Sequence, residues 1–438
     1  MAIRLEISIL QSSPESSSLE VGIRRYRGRM TTSRLSSRPT FPVDAMSARL
    51  DDVVDRAVEG GRIVGTVLLV ARAGQVVYRR AAGLANRESG RALRPDAIFL
   101  LSSVTKPIVS LAALRLVEAG LLRLDDPITR WLPGFRPRLA DGAEPAITVH
   151  QLLTHTAGLI YPGNAEHGQS WRDAGVSSGL DGRFTSLEDN LRRVASLPLV
   201  AAPGERWIYS LAIDVLGAVI EAVTRQPLAQ ALRDLVLAPL GMSDSDFAVV
   251  DRDRLVTHYA DGDAGPIVMP GRHRAVHDGV FFDFAPDRIF DASAYPSAGG
   301  GMAGTADDVL RALEAIRIGH PAVVSAAGAA LMRRAHVGAD AQTQGPGWGF
   351  GYGGALLVDP TAAGSPQSAG TMQWGGVYGH TWFVDPAREL TVVALTNTSL
   401  EGLFGLYPAA VRDAVYGTWR ARRPRAATAA RPAGGCRG

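Results

Sequence analysis

From Met46 to Ala57, apolar and charged residues recur at helical spacing, which predicts an N-terminal helix ending at Gly60-Gly61. Two apolar runs then flank Ala73-Gly74: Val64-Gly-Thr-Val-Leu-Leu-Val-Ala before it and Val76-Val-Tyr after it, the pattern of a β-hairpin. The next segment, from about Ser103 to Gly120, is apolar on most faces through Ile108, Val109, Leu111, Leu114, Leu116 and Val117. A helix without a wet face belongs in the middle of a molecule.

Between about 121 and 290 the pattern changes to short helices and long loops. Helices are predicted over 148–153, closed by His155-Thr-Ala-Gly158, and over 186–196, with Ser186 as cap. Two more follow, over 213–223 and 228–237. The stretch 243–292, rich in Asp, Gly and Pro, reads as strand and loop. Helices return near 305–317 and 321–335, strands over 348–358, 370–375, 379–385 and 390–397, and a last helix over about 406–419. Strands at both ends with helices between them predict an α/β (α+β) fold. One antiparallel sheet is flanked by helices and split by an inserted, mainly helical lobe. The chain then divides into a disordered leader (1–45), the first part of the sheet lobe (46–102), a mainly helical lobe (103–290), the second part of the sheet lobe (291–419) and a disordered basic tail (420–438).

Composition narrows the function. With 46% apolar and 20% charged residues among 438, the chain can bury a large core. The isoelectric point of 9.2 is a property of the tails. Residues 1–46 hold seven Arg against four acids, and residues 420–438 hold six Arg and no acid, so the body is net −6 within a chain of +3. Nucleic acid is not an expected partner of such a body. Cys436, the single cysteine, lies in the tail, so no disulfide or cysteine metal site is expected. No sustained apolar run resembles a signal peptide or a membrane span, which predicts a cytoplasmic enzyme, with Met30 an alternative start to Met1. No cofactor, no membrane partner and no particular oligomeric state is read from the sequence.

The candidate chemistry lies at the head of the apolar helix, in Ser102-Ser-Val-Thr-Lys-Pro107. Ser103 and Lys106 stand one helical turn apart on one face. Lys106 is the only lysine in the chain, against 45 arginines. A bias toward arginine explains surfaces without lysine, but it does not explain why the survivor sits three residues after a serine. Arginine cannot lose its proton at a useful pH, whereas a desolvated lysine can. A site that needs a neutral amine as base would keep lysine here. If Ser103 opens the helix, its amide is one of the unpaired donors of the first turn and can serve an oxyanion. Pro107 cannot donate to the carbonyl of Ser103, so that turn is expected to be tight.

Together with Ser103-Val-Thr-Lys106, the His155-Thr-Ala-Gly-Leu turn, Tyr209-Ser-Leu, and Trp374-Gly-Gly before Gly379-His-Thr-Trp-Phe resemble the serine β-lactamase superfamily. Within it, the chain is similar to the family VIII carboxylesterases, which share the class C β-lactamase fold, over about residues 45 to 417. The resemblance implies that Ser103 is the nucleophile, Lys106 its activating partner and Tyr209 a second base that protonates the leaving alcohol. It implies an oxyanion hole from the amides of Ser103 and Val377, the latter following Trp374-Gly375-Gly376 on an edge strand. Two departures bear on substrate. Leu211 stands where the lactamase pattern has an asparagine, and Trp374-Gly375-Gly376 replaces the Lys-Thr-Gly type of strand. Leu211, Trp374, Gly375 and Gly376 are therefore the expected substrate-binding residues, in an apolar site suited to a small neutral ester.

Ester hydrolysis through an acyl-enzyme is the expected reaction. Its rivals are a β-lactamase or D-amino-acid peptidase, an acyltransferase of the same fold, and a ligand-binding relative without turnover. Other motifs carry less. Gly175-Val-Ser177-Ser-Gly179 matches a nucleophile elbow but lies in a polar, glycine-rich stretch. His273 and His277 have helical metal spacing but are expected in a solvated loop. His155 reads as a structural histidine, and Gly299–Gly304 as a backbone-packing turn.

Overall fold

The computed structural model describes residues 42–183 and 185–419. Residues 1–41 of the expected leader and the basic tail lie outside the described residues, and the first helix begins at Val43, inside the span expected to be leader. The central elements, in chain order, are helix α1 (Val43–Glu59) and strands β1 (Gly65–Arg72), β2 (Gln75–Asn86), β3 (Arg91–Ala92) and β4 (Phe99–Leu100). Helices α2 (Thr105–Glu118), α3 (Ala212–Thr224) and α4 (Ala306–Ile318) follow, with strand β5 (Ala303–Gly304) just before α4. Strands β6 (Trp348–Phe350), β7 (Ala355–Leu357), β8 (Met372–Gly376), β9 (His380–Asp385) and β10 (Leu390–Thr396) and helix α5 (Leu406–Tyr416) complete the frame.

Eight strands form one antiparallel sheet in the order β6-β7-β8-β9-β10-β1-β2-β3. Its two sequence halves meet where β1 pairs with β10 over seven residues, from Thr66 opposite Thr396 to Arg72 opposite Leu390. This is the split sheet expected from strands at both ends of the chain. β1 is buried along nearly its whole length because both faces are covered. Val67, Leu69 and Ala71 join the main core with Val309, Leu313 and Ile316 of α4. Thr66, one residue out of phase, reaches the hydroxyl of Tyr407 on α5 at 3.0 Å. The hairpin turn falls at Ala73-Gly74, both with positive φ, as its glycine predicts.

Helix α2 is buried from Thr105 to Leu114, and Leu116 is buried too. The core runs unbroken from the sheet (Leu69, Val393) through α2 (Ile108, Leu111) to the helical part (Leu152, Leu153, Leu216, Val219). The helical elements fall close to the predicted ranges. The 149–153 helix carries a full capping box between Thr148 and Gln151, and Ser186 caps 187–195 by accepting from the amide of Asp189.

The expectation for His273 and His277 needs correction. They lie on a strand, His273–His277, paired with Val280–Phe284 in a hairpin rather than in a loop. Its turn is Asp278-Gly279, with φ of 48° and 78°. An Asp-Gly pair between apolar runs is a hairpin signal that the helical His spacing obscured. His277 stacks on Phe404 at 4.1 Å.

Candidate active site

The chain enters the site through β4 and a 3₁₀ turn at Ser102–Val104 that leads straight into α2. The tight first turn expected from Pro107 is present. Ser102 has φ of +43°, a left-handed conformation that costs a non-glycine residue about 1–2 kcal/mol. Dense packing holds it there. A Cβ added to Gly376 would come within 2.4 Å of Ser102 Oγ and 2.5 Å of the Leu101 carbonyl. The glycine lets β8 lie directly against the turn that carries Ser103.

Ser103 is 8% exposed and Lys106 1%. Lys106 Nζ donates to Ser103 Oγ at 3.1 Å and to the carbonyl oxygen of Gly299 at 2.6 Å. From the opposite side, Tyr209 Oη meets Ser103 Oγ at 2.7 Å, and the indole N–H of Trp374 donates to Tyr209 Oη at 3.3 Å. Lys106 of α2 and Tyr209 of the segment before α3 thus converge on the Ser103 hydroxyl, with Trp374 of β8 behind Tyr209. Lys106 Nζ also lies 4.7 Å from the ring centre of Tyr209 and 5.4 Å from that of Tyr161. Trp374, His155 and Tyr161 rings surround Tyr209 at 5.1, 4.9 and 5.4 Å, with Trp207 at 6.4 Å. The surroundings are aromatic and carry few formal charges, as an ester site without a carboxylate clamp would.

Val377 follows β8 in the turn that leads to β9, and is buried. Its neighbours fix its place: Gly376 packs on Ser102, and the amide of Tyr378 reaches Ser102 Oγ at 3.5 Å. The expected edge position needs correction, because β8 lies between β7 and β9. Only Gln373 and Met372 pair with β7, so Trp374–Gly376 are paired on the β9 side alone. The site half of the strand is locally an edge although the strand is internal. Leu211 is corrected too. It is 1% exposed within the main core, where it caps α3, and it offers no surface to a ligand. Gly375 is buried against the carbonyl of His380 and the side chain of Leu403.

Three participants in this arrangement escaped the sequence. The Gly299 carbonyl that holds Lys106 has no side-chain signature, and its loop reads as packing alone. Asp214 is buried in the first turn of α3. Its Oδ1 accepts from Ser297 Oγ at 2.7 Å and from the Gly299 amide at 3.3 Å. Burial pushes its carboxyl above the usual range, against the pull of Lys106. An acid inside the apolar 213–223 run was its available signal. Tyr161, behind Lys106, had none. His155 is structural as expected: it is buried, and its Nδ1 accepts from the Ser210 amide at 3.3 Å. Burial, then Lys106, pushes it well below the ordinary histidine value. Ser177 lies buried in a loop rather than between a strand and a helix, and its hydroxyl donates to Asp181 at 2.6 Å.

The chain belongs to the beta-lactamase family, whose model matches residues 50–416. It is 54% identical over 386 residues to Esterase EstB of Burkholderia gladioli, covering 86% of this chain and 97% of that protein. Among solved structures it resembles EstCE1, described as a hydrolase with promiscuous acyltransferase activity, with a TM-score of 0.84 and 47% identity over 86% of this chain and 99% of that one. Unliganded simvastatin synthase LovD of Aspergillus terreus shares the fold, with a TM-score of 0.68 at 22% identity, over 86% of this chain and 99% of that one.

Proposed function

We propose that the protein hydrolyses small neutral esters through an acyl-enzyme on Ser103. The protein is a serine ester hydrolase of the β-lactamase fold, a class that family and relatives carry. The assignment of roles rests on one observation: Lys106 Nζ and Tyr209 Oη both lie within hydrogen-bond distance of Ser103 Oγ. In its free-amine form Lys106 takes the Ser103 proton as Oγ attacks the ester carbonyl carbon. The amides of Ser103 and Val377 receive the charge that develops on the carbonyl oxygen. As the tetrahedral intermediate collapses, the alcohol leaves with a proton delivered through Tyr209. Water then attacks the acyl-enzyme along the reverse proton route and releases the acid. Trp374 holds Tyr209 in place through its indole N–H.

The test is a paired assay of the wild type and Ser103→Ala on a short-chain p-nitrophenyl ester and a chromogenic cephalosporin. Fast ester turnover that is lost in the variant, with little lactam cleavage, is expected. Strong Ser103-dependent lactam turnover would move the protein to the lactamases despite Trp374 and Leu211. A second reading, acyl transfer to an alcohol, has support in the activity named for EstCE1. Product analysis with added alcohol separates the two, because both pass through the same acyl-enzyme.

A further inference from the structure

The two amides assigned to the oxyanion hole come from elements far apart in sequence. One heads α2, and the other lies in the β8–β9 turn. Their separation must hold to a fraction of an ångström for both to meet one oxygen. Among the described residues, the shortest side-chain hydrogen bond between the two segments near that point, shorter than the 3.5 Å contact of the Tyr378 amide with Ser102 Oγ, is made by a histidine. His380 stands three residues after Val377, and its Nε2 lies 2.8 Å from the carbonyl oxygen of Leu100, three residues before Ser103. An acceptor on that side means that Nε2 carries the proton.

Leu100 is held from its other side as well. Its amide donates to Nε2 of His258 at 3.4 Å, so that imidazole must be neutral and protonated on Nδ1. His258 is placed by the 254–259 stretch, which exchanges backbone hydrogen bonds with Ile98 and Asn397. Its ring meets Tyr378, next to Val377, at 5.0 Å. Both histidines are buried, His380 completely. His380 Nδ1 has no partner, so burying this imidazole costs polar solvation that a phenylalanine or leucine would not. The brace also touches the packed glycine: a Cβ on Gly376 would come 3.0 Å from His380 Cδ2.

We propose that His380, seconded by His258, is a positioning residue that sets the distance between the two halves of the oxyanion hole through the Leu100 backbone. The proposal rests on the reading of Ser103 and Val377 as oxyanion donors. His380 touches neither substrate nor Ser103, and acts through β4 and the strained Ser102 turn. Removing it lets β8 and the nucleophile's turn relax apart, which weakens transition-state binding more than ground-state binding.

The experiment compares wild type, His380→Ala, His380→Gln and His258→Gln on a p-nitrophenyl ester, with active sites titrated so that kcat refers to folded enzyme. Each is also inhibited by a tetrahedral boronic acid analogue. For His380→Ala, kcat should fall 10- to 100-fold with KM within about threefold, and the inhibitor should weaken in proportion to kcat/KM. Glutamine presents an N–H at the reach of Nε2, so His380→Gln should recover most of the loss; His258→Gln, which keeps an acceptor, should lose little. A purely structural role would lower thermal stability while kcat per titrated site and inhibitor affinity stayed within twofold of wild type; that result overturns the proposal. If His380→Ala does not fold, His380→Leu, which fills the space without a donor, takes its place: a tenfold or greater weakening of the inhibitor per titrated site supports the brace, and affinity within twofold of wild type overturns it. Wild-type turnover abolished by Ser103→Ala keeps the underlying mechanism separate from this test.

Discussion

At the residue scale, the proposed mechanism turns on what a single lysine can do that arginine cannot. Lys106 is buried between α2, Tyr209 and Gly299, with one N–H committed to the Gly299 carbonyl. That contact leaves the rest of the nitrogen facing Ser103. Lys106→Arg keeps a positive charge but supplies no base at working pH, and a planar guanidinium does not fit the space of an ammonium. We expect kcat to fall at least about 10³-fold, as for loss of a general base with its geometry, with the fold intact by circular dichroism. A variant with even a tenth of wild-type kcat would remove Lys106 from the mechanism. Tyr209→Phe removes the hydroxyl but keeps the ring contacts with Trp374 and Trp207. A loss of about 10²–10⁴-fold in kcat with little change in melting temperature is expected, measured as turnover per titrated site.

At the scale of elements, the proposed mechanism depends on β8 pressing against the turn before α2. Gly376 is the point of contact. Gly376→Ala places a methyl carbon at 2.4–2.5 Å from backbone and hydroxyl atoms that do not belong to a flexible side-chain end, so β8 or the Ser102 turn must shift. The expected result is at least a tenfold loss of kcat/KM and a stability cost of about 1–3 kcal/mol, the range for overpacking. Chemical denaturation and ester kinetics on the same preparation check both. Wild-type kinetics in this variant would show that the β8 contact is not transmitted to the site. The caps of the surrounding helices were legible residue by residue, as Thr148 and Ser186 show, because a cap is a local bond between near neighbours. The contact at Gly376 was legible only as a glycine that tolerates something close. What approaches it, Ser102 or a substrate, is a question of tertiary neighbours.

On the scale of the whole molecule, the buried histidines make stability depend on pH. Burial lowers His258 to about 3, assisted by His380, and lowers His380 itself to about 4. A depressed histidine value means that the unfolded chain binds more protons than the folded one between the folded value and about 6.5. Stability is therefore full above about pH 6.5 and declines as pH falls, by roughly 1.4 kcal/mol per unit for each such group, until the folded value is passed. Asp214 and Asp308, raised by burial, work in the opposite sense. Melting temperatures from pH 8 to 4.5 should fall below about 6.5, with a shallower slope in His380→Gln. A flat profile, or equal slopes in the two proteins, contradicts this assignment. No described helix is long and apolar enough to cross a membrane.

The sequence by itself determined most of the elements, the split sheet and the meeting of Ser103 with Lys106. Helical and strand periods are local, and Ser103 and Lys106 lie on one helical turn, so their meeting needs no tertiary information. The lone lysine marked the pair because only chemistry distinguishes it from 45 arginines. Tyr209 and Val377 entered through family resemblance, since nothing local marks an ordinary tyrosine or valine. Tertiary structure alone decided what lies around them. The Gly299 carbonyl has no side chain to read, Asp214 looks like one more acid, and Leu211 turned into the core because α3 begins there. The His380–Leu100 brace joins residues 280 positions apart. A contact of that kind depends on how strands and turns stack, and that order is set by packing rather than by any pattern along the chain.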